Sequence, residues 1–222
     1  MKVALDCETG GLEADKNPIL GLAIWSPALE ESEHGPFQIG MCADGLECHP
    51  KALEVNKLDP TVGITRQVAA QMLYDWWVAQ GRPRFELVGH NVGPFDVPFV
   101  RQLERAGVDL PWHMMFDYHY RDSATLALAC YDLGLLGGKL SLSAVCSQLG
   151  IKFAAHDALQ DAKASWHAWH RMTHMLSDAS IVLTRIKQKQ PPLEVYPNDG
   201  RYWVAPYGWQ VINLAEEKAS GA

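Results

Sequence analysis

The sequence predicts an α/β fold, a mixed sheet with helices on both faces, and two features of its 222 residues predict it. Near the N-terminus, short apolar strand signals follow one another with only turn residues between them, which reads as an antiparallel meander. Further on, compact apolar runs alternate with segments of helical periodicity, the pattern of a sheet whose strands are joined through covering helices.

The strand signals come first: Lys2–Asp6, Ile19–Trp25 after the Asn17-Pro18 break, and a short stretch over Pro36–Met41. Residues 42–63, rich in Pro, Gly and Asp, read as an irregular connection. From Thr65 to Gln80, Val68, Met72, Leu73, Trp76 and Trp77 recur at helical spacing, and Gly81 and Pro83 close the helix. Phe85–Gly89 is a compact strand that leads into a helix over Pro94–Ala106, ended by Gly107. Met114–Asp117 reads as a further strand, followed by a short helix over Ser123–Tyr131. Leu142–Leu149 reads as a helix with Ser141 as N-cap and Gly150 at its end. A long helix is expected over Ala158–Leu176 and a separate one over Ser180–Lys189, stopped by Pro191-Pro192. The remainder carries Tyr196, Tyr202, Trp203, Tyr207 and Trp209, reads as a hairpin over 201–212, and should fray over 216–222.

The length suffices for one full core with some chain left for an arm. No apolar run approaches the ~20 residues of a membrane span, and Met1-Lys2 passes straight into the first strand signal, so a cytoplasmic protein is the expectation. The five cysteines show no disulfide framework. A net charge of −7 argues against a broad sequence-independent grip on duplex DNA. An enzyme that handles a few nucleotides can still hold them through metal ions, stacking and backbone donors.

Asp6-Cys7-Glu8 carries the chemistry. On a strand, residues i and i+2 face the same side, so Asp6 and Glu8 crowd together while Cys7 turns away into the core. Two adjacent carboxylates repel, and a hard divalent cation between them relieves the repulsion. Two further acidic clusters lie where strands end and helices begin: Asn91-Val-Gly-Pro-Phe95-Asp96, and His156-Asp157-Ala-Leu-Gln-Asp161. Taken singly, such carboxylates also have an ordinary explanation, since they complement a helix macrodipole by about 0.3–1 kcal/mol.

In order and spacing, Asp-x-Glu, Asn-x3-Phe-Asp and His-x4-Asp resemble the three exonuclease motifs of the DEDD superfamily in its histidine-bearing DEDDh, DnaQ-like branch. Thr9-Gly-Gly-Leu12 is similar to that family's Thr-Gly-Leu turn, with one extra glycine, and Gly63-Ile64-Thr65 to its Gly-Ile-Thr helix start. Asp122-Ser-Ala-Thr-Leu-Ala127 resembles its Asp-Thr-Leu-x-Leu-Ala helix, and the stretch from Leu140-Ser141-Leu142 to Leu149-Gly150-Ile151 its Leu-x-x-Leu…Leu-Gly-Ile segment. The likeness covers residues 2 to about 176.

The resemblance implies a three-layer α/β/α ribonuclease H-like fold: a five-stranded mixed sheet whose second strand is antiparallel. It divides the chain into an exonuclease domain over 1–177 and a C-terminal extension over 178–222 packed on it. It implies two Mg²⁺ or Mn²⁺ ions held by Asp6, Glu8, Asp96 and Asp161, with Asp6 bridging both, Asp96 acting largely through water, and His156 as general base. Two divalent ions about 3.5–4 Å apart can stabilise the attacking and leaving oxygens of an in-line displacement at phosphorus. A histidine, with an ordinary pKa near 6.5, can take the proton at neutral pH. Thr9 and Leu12 are assigned to the terminal nucleotide or to a simple strand-to-turn role, and Asn91 to substrate binding or to buttressing the Asp96 turn, while Phe95 is assigned to the core.

Other groups point elsewhere. His167, His170 and His174 share one helix face, away from the stripe Ala162, Trp166, Trp169 and Leu176 assigned to the core, and read as a solvated flank. Cys42, Cys48 and His49 lack the spacing of a structural zinc site. The aromatic tail is assigned to packing on the domain, with base stacking, a homodimer contact or a polymerase or repair partner as alternatives. The resulting expectation is a metal-dependent 3′→5′ exonuclease acting on single-stranded nucleic acid with a free 3′ end, leaning to DNA and releasing nucleoside 5′-monophosphates. An oligoribonuclease-like RNA-trimming enzyme and a proofreading-type subunit that docks a polymerase are the rivals.

Overall fold

The computed structural model describes residues 1–187, 201–204 and 208–211, with side chains through Asp178. Its centre is a five-stranded sheet in the order β3-β2-β1-β4-β5, formed by β1 (Lys2–Thr9), β2 (Ile19–Trp25), β3 (Phe37–Gly40), β4 (Phe85–Gly89) and β5 (Phe116–Asp122). β2 is antiparallel to β1 and β3, whereas β1, β4 and β5 are parallel neighbours. All residues of β2 are buried, as befits a strand covered on both faces.

Helices form a layer on each face. On one side, α3 (Arg66–Ala79), α4 (Val97–Glu104) and the single turn α5 (Trp112–Met115) pack on Val3, Leu5 and Cys7 of β1. On the other, α6 (Ser123–Asp132), α7 (Leu142–Gln148) and α8 (Ala158–Lys187) share an apolar cluster that includes Ala127, Cys130, Val145, Cys146, Ala164 and Met172. Ala162 of α8 meets Ala4 and Trp25 over the sheet. This is the three-layer, mixed-sheet architecture expected from the sequence, and Cys7 turns into the core as the strand period requires.

Several elements depart from expectation, each for a local reason. The connection 42–63 holds a helix, Pro50–Asn56, in which His49 Nδ1 accepts the Lys51 N–H as N-cap and Pro50 occupies the first turn. With the short helix Pro27–Glu30 after β2, these are α2 and α1. The helix expected over Pro94–Ala106 begins instead as a π-helical turn, Val92–Asp96, and becomes α-helical only from Val97 to Glu104. The strand expected over Met114–Asp117 starts later and runs further, because Trp112–Met115 forms a helical turn and the polar run Tyr118–Arg121 extends an exposed edge strand. In α3 the buried face is Ala69, Ala70, Leu73 and Trp77, and Val68 and Met72 are exposed. Ser141 occupies the N-cap position of α7, but its hydroxyl makes no capping bond.

The two expected C-terminal helices are one, α8, 30 residues long. Between Leu176 and Ser180 there is no glycine or proline to stop it. The expected hairpin is formed by Arg201–Val204 (β6) and Gly208–Val211 (β7), paired antiparallel with Trp203 opposite Trp209. The frayed end over 216–222 and the packing of the extension on the domain lie outside the described residues. No described helix is long and apolar enough to cross a membrane.

Candidate metal centre and its surroundings

The centre of the sheet comes apart at one end, and the candidate site is built there. β1 pairs with β4 only from Lys2↔Glu86 to Ala4↔Val88, so beyond Ala4 that edge of β1 has no strand partner. The chain leaves β1 toward β2 on one side while β4 lies on the other, which makes this gap the crevice at the carboxyl ends of the strands where open α/β sheets place ligands. A buried N–H left unpaired in such a gap costs about 1–3 kcal/mol. Asp96 removes that cost for Cys7: its Oδ1 accepts the Cys7 N–H at 3.0 Å, and the residue is 2% exposed.

Asp6 and Glu8 point to the α8 side of β1, opposite Cys7, and meet Asp161 from the first turn of α8. Among the described residues these three form a group whose carboxylate oxygens all lie within 4.8 Å of one another. Burial raises the Asp6 pKa well above its ordinary value, and the charges of Asp96, Asp161, Glu8 and Asp157 add to the effect. Glu8 is pushed to about 7, first by burial and then by Asp161 and Asp157. Asp96 also reaches about 7 through burial, against the pull of the Cys7 donors, and Asp161 is raised by burial. Glu8 Oε1 and Asp161 Oδ1 are buried without a hydrogen-bond partner. Orphaned oxygens on crowded carboxylates suit a hard divalent cation.

His156 sits on the exposed loop before α8 with a left-handed φ of 68°, and its backbone N–H donates to Asp161 Oδ2 at 3.1 Å. Asp157 caps α8 by accepting the Gln160 N–H at 3.0 Å. The structure thus draws Asp6, Glu8 and Asp161 together, keeps Asp96 beside Asp6, and ties the His156 loop to Asp161.

Thr9 is buried, and its hydroxyl donates to the Gly11 carbonyl at 2.7 Å, so the hydroxyl belongs to the turn. Both glycines of that turn are needed. A side chain on Gly10 would strike Pro18 and the Cys48 sulfur at 2.7 Å, and one on Gly11 would strike the Asn17 amide. Leu12 at the tip is 83% exposed. Asn91 is exposed with φ 68°, and its side chain makes no capping bond.

Three supporting residues were given no part in the site from the sequence. Asp122 Oδ1 accepts the N–H groups of Asn91, Ala124 and Thr125, which joins the Asp96 turn to the start of α6. Its side chain also caps α6, and neither the cap nor its reach to Asn91 was read from the sequence. His90 lies 3.0 Å from both Ser123 Oγ and the Leu140 carbonyl; the carbonyl can only accept, so Nε2 carries the hydrogen and Nδ1 accepts from the serine. Gln102 is buried in α4, accepts the Ile19 N–H, and donates to the Ala14 and Asn17 carbonyls at 2.8 and 2.7 Å. It fastens the Leu12 loop from beneath, and nothing in the local sequence announces it.

The helical histidines do not form a metal cluster among the described residues. His170 stands apart from the expected solvated flank, since its ring packs against Trp166 and Trp169, and His167 approaches Trp25. The stripe of α8 that is fully buried consists of Ala162, Ala164, Ser165, Ala168 and Met172, and Trp166, Trp169 and Leu176 lie half-buried beside it.

No protein-family model matches the chain, and no curated protein matches it. Solved structures do. Escherichia coli Exonuclease I in complex with a dT13 oligonucleotide superposes with a TM-score of 0.63 at 17% identity, covering 83% of this chain and 43% of that one. The zinc-bound form of the E. coli ExoI–ssDNA complex gives 0.61 at 17% identity, covering 85% and 44%. Exonuclease I from Methylocaldum szegediense gives 0.60 at 18% identity, covering 74% and 38%. The chain spans less than half the length of these structures. The likeness bears out the ribonuclease H-like fold, and these three structures are of exonucleases.

Proposed function

We propose that this protein is a metal-dependent 3′→5′ exonuclease that removes nucleoside 5′-monophosphates from single-stranded DNA. The observation that carries the reading is the cluster of Asp6, Glu8 and Asp161 at the parted end of the sheet, with partnerless buried oxygens on Glu8 and Asp161. Asp96 adds a fourth carboxylate beside it. Among proteins of this fold, those with bound single-stranded oligonucleotides support the preference for DNA.

Asp6, Glu8, Asp161 and Asp96 would hold two Mg²⁺ or Mn²⁺ ions, which supply Lewis-acid stabilisation of the reacting phosphodiester and a nucleophile at neutral pH. His156 accepts the proton of the attacking water, and its exposed loop leaves the imidazole free to approach and withdraw. Leu12 packs against the terminal base from a tip that Gln102 keeps in place. Thr9 offers backbone contacts to the same nucleotide, and Asn91 borders its phosphate.

The test is hydrolysis of 3′- and 5′-labelled single strands of DNA and matched RNA in Mg²⁺, Mn²⁺ or EDTA. Stepwise loss from the 3′ end with either metal is expected, abolished by EDTA and by Asp6→Ala and reduced in His156→Ala, with DNA the better substrate. Intact ends in both metals, or undiminished activity in the variants, would refute the reading, and faster hydrolysis of RNA would reverse the substrate preference.

A further inference from the structure

β5 is an edge strand with a local fault. Phe85 pairs with Phe116, but Leu87 pairs with Tyr120, so Asp117, Tyr118 and His119 together face the single residue Glu86. Such bulges bend a strand and re-aim its side chains, and they recur beside active sites. This one is held in shape. Asp117 Oδ1 accepts the His119 N–H at 2.9 Å and lies 3.0 Å from its ring Nδ1, while Asp117 Oδ2 pairs with Arg84 Nε at 3.3 Å.

The product of the bulge is an outward aromatic surface. Tyr118 is 74% exposed, and its ring lies on that of His119 with centroids 3.9 Å apart. Two residues on, Tyr120 is still 36% exposed, and its ring rests on Gly93, where a Cβ would come within 2.7 Å of it. Gly93 belongs to the same π-helical turn that ends in Asp96. Tyr120 pairs with Leu87 and Leu87 with Val3, so its ring leaves the sheet on the α4 side, opposite Asp6 and Glu8, and the turn from Gly93 to Asp96 links it to the candidate metal centre around the end of the sheet. From strand spacing and rise, the Tyr120 backbone lies about 14 Å from that of Asp6, a distance a few nucleotides can cover. A tyrosine so exposed adds nothing to the core, yet its neighbours fix the backbone that displays it. Every base has a π-face, so such a surface binds a single strand without reading its sequence.

We propose that Tyr118 and Tyr120 form a stacking platform for the bases that precede the 3′-terminal nucleotide of a bound single strand. This rests on the exonuclease reading for the direction of the strand, and it assigns the bulged edge as the surface that separates long substrates from short ones.

The experiment measures binding of 5′-fluorescein-labelled dT2 and dT10 to the wild type, Tyr118→Ala and Tyr118→Trp in Ca²⁺, with hydrolysis of the same oligonucleotides in Mg²⁺ measured in parallel. Tyr118→Ala should weaken dT10 binding about 5- to 150-fold, the equivalent of ~1–3 kcal/mol per stacked base, and leave dT2 unchanged. Tyr118→Trp should retain dT10 binding, and an abasic stretch in place of the third to fifth nucleotides from the 3′ end should erase the difference between wild type and Tyr118→Ala. Equal affinities of wild type and Tyr118→Ala for dT10, equal losses for dT2 and dT10, or no binding of dT10 by the wild type would each overturn the platform. If the binding pattern holds but nothing is hydrolysed in Mg²⁺, the exonuclease reading falls and the platform stands as a single-strand binding surface.

Discussion

Replacing Asp96 by asparagine should stabilise the metal-free protein at alkaline pH while destroying activity. Asp96 is 2% exposed and its pKa in the fold is about 7, against an ordinary 3.8, with burial as the first cause. A carboxyl whose folded pKa is raised contributes most below its unfolded pKa, and that contribution is lost as pH rises through the folded value. At about 1.4 kcal/mol per pH unit, ionising Asp96 in the fold at pH 8 costs up to about 4 kcal/mol relative to the unfolded chain. Asparagine escapes this cost and can still accept the Cys7 N–H through its amide oxygen. The variant should therefore exceed the wild type by about 1–4 kcal/mol in urea melts at pH 8 with EDTA. The gain should shrink to about 1–2 kcal/mol at pH 5 and vanish below about pH 3, where both the folded and the unfolded chain are protonated at this position. Asp96→Ala should fall below the asparagine variant by about 1–3 kcal/mol at every pH, because it leaves the Cys7 N–H without an acceptor. An asparagine variant less stable than wild type at pH 8, or a gain that does not depend on pH, would refute this account of the charge.

Other expectations can be checked alongside. Mg²⁺ or Mn²⁺ at about a hundred times its dissociation constant should stabilise the wild type by ~2.7 kcal/mol, a Tm rise of about 5–11 °C for a chain of this size, and most of that rise should be lost in Glu8→Gln and Asp161→Asn. No rise in the wild type by scanning calorimetry would remove the metal centre. His156→Ala should lower turnover of single strands about 10²- to 10⁴-fold and leave the Tm nearly unchanged, since the side chain is exposed; a large fall in Tm would mark the residue as structural. Gln102→Leu should cost about 2–4 kcal/mol in urea melts because the Ile19 N–H and the Ala14 and Asn17 carbonyls lose their partner. A neutral result would mean that the Leu12 loop is held by other means.

The elements that were legible in the sequence are those whose signal is local. The strand period alone put Asp6 and Glu8 on one side and Cys7 in the core, and helix-start chemistry put Asp161 in the first turn of α8. What escaped depends on distant partners. Asp96 was expected as a helical carboxylate, but its bond to the Cys7 N–H arises only because β4 stops short beside β1. The exposed strand Tyr118–Arg121 lacks an apolar alternation, since the edge of the sheet leaves most of it open to solvent. The buried face of α3 uses Ala69 and Ala70 in place of Val68 and Met72, because closely packed helices take small residues where the larger ones would not fit. Helix α2 was hidden by the very residues that start it, His49 and Pro50, which also read as a turn.

The Asp96–Cys7 bond is made to the main chain, and this decides how much freedom the middle of the Asp-x-Glu pair has. Any amino acid with an N–H can meet Asp96 there, so only proline is ruled out by the bond itself. The side chain at position 7 answers first to the size of the core pocket, and its thiol adds a second, weaker donor to the Asp96 carboxylate. Cysteine is therefore one tenant among several, and alanine, valine or serine at this position should leave the acidic centre intact. The outer two letters of the motif are written by charge and the middle one mainly by volume, so the three adjacent residues can drift under different pressures.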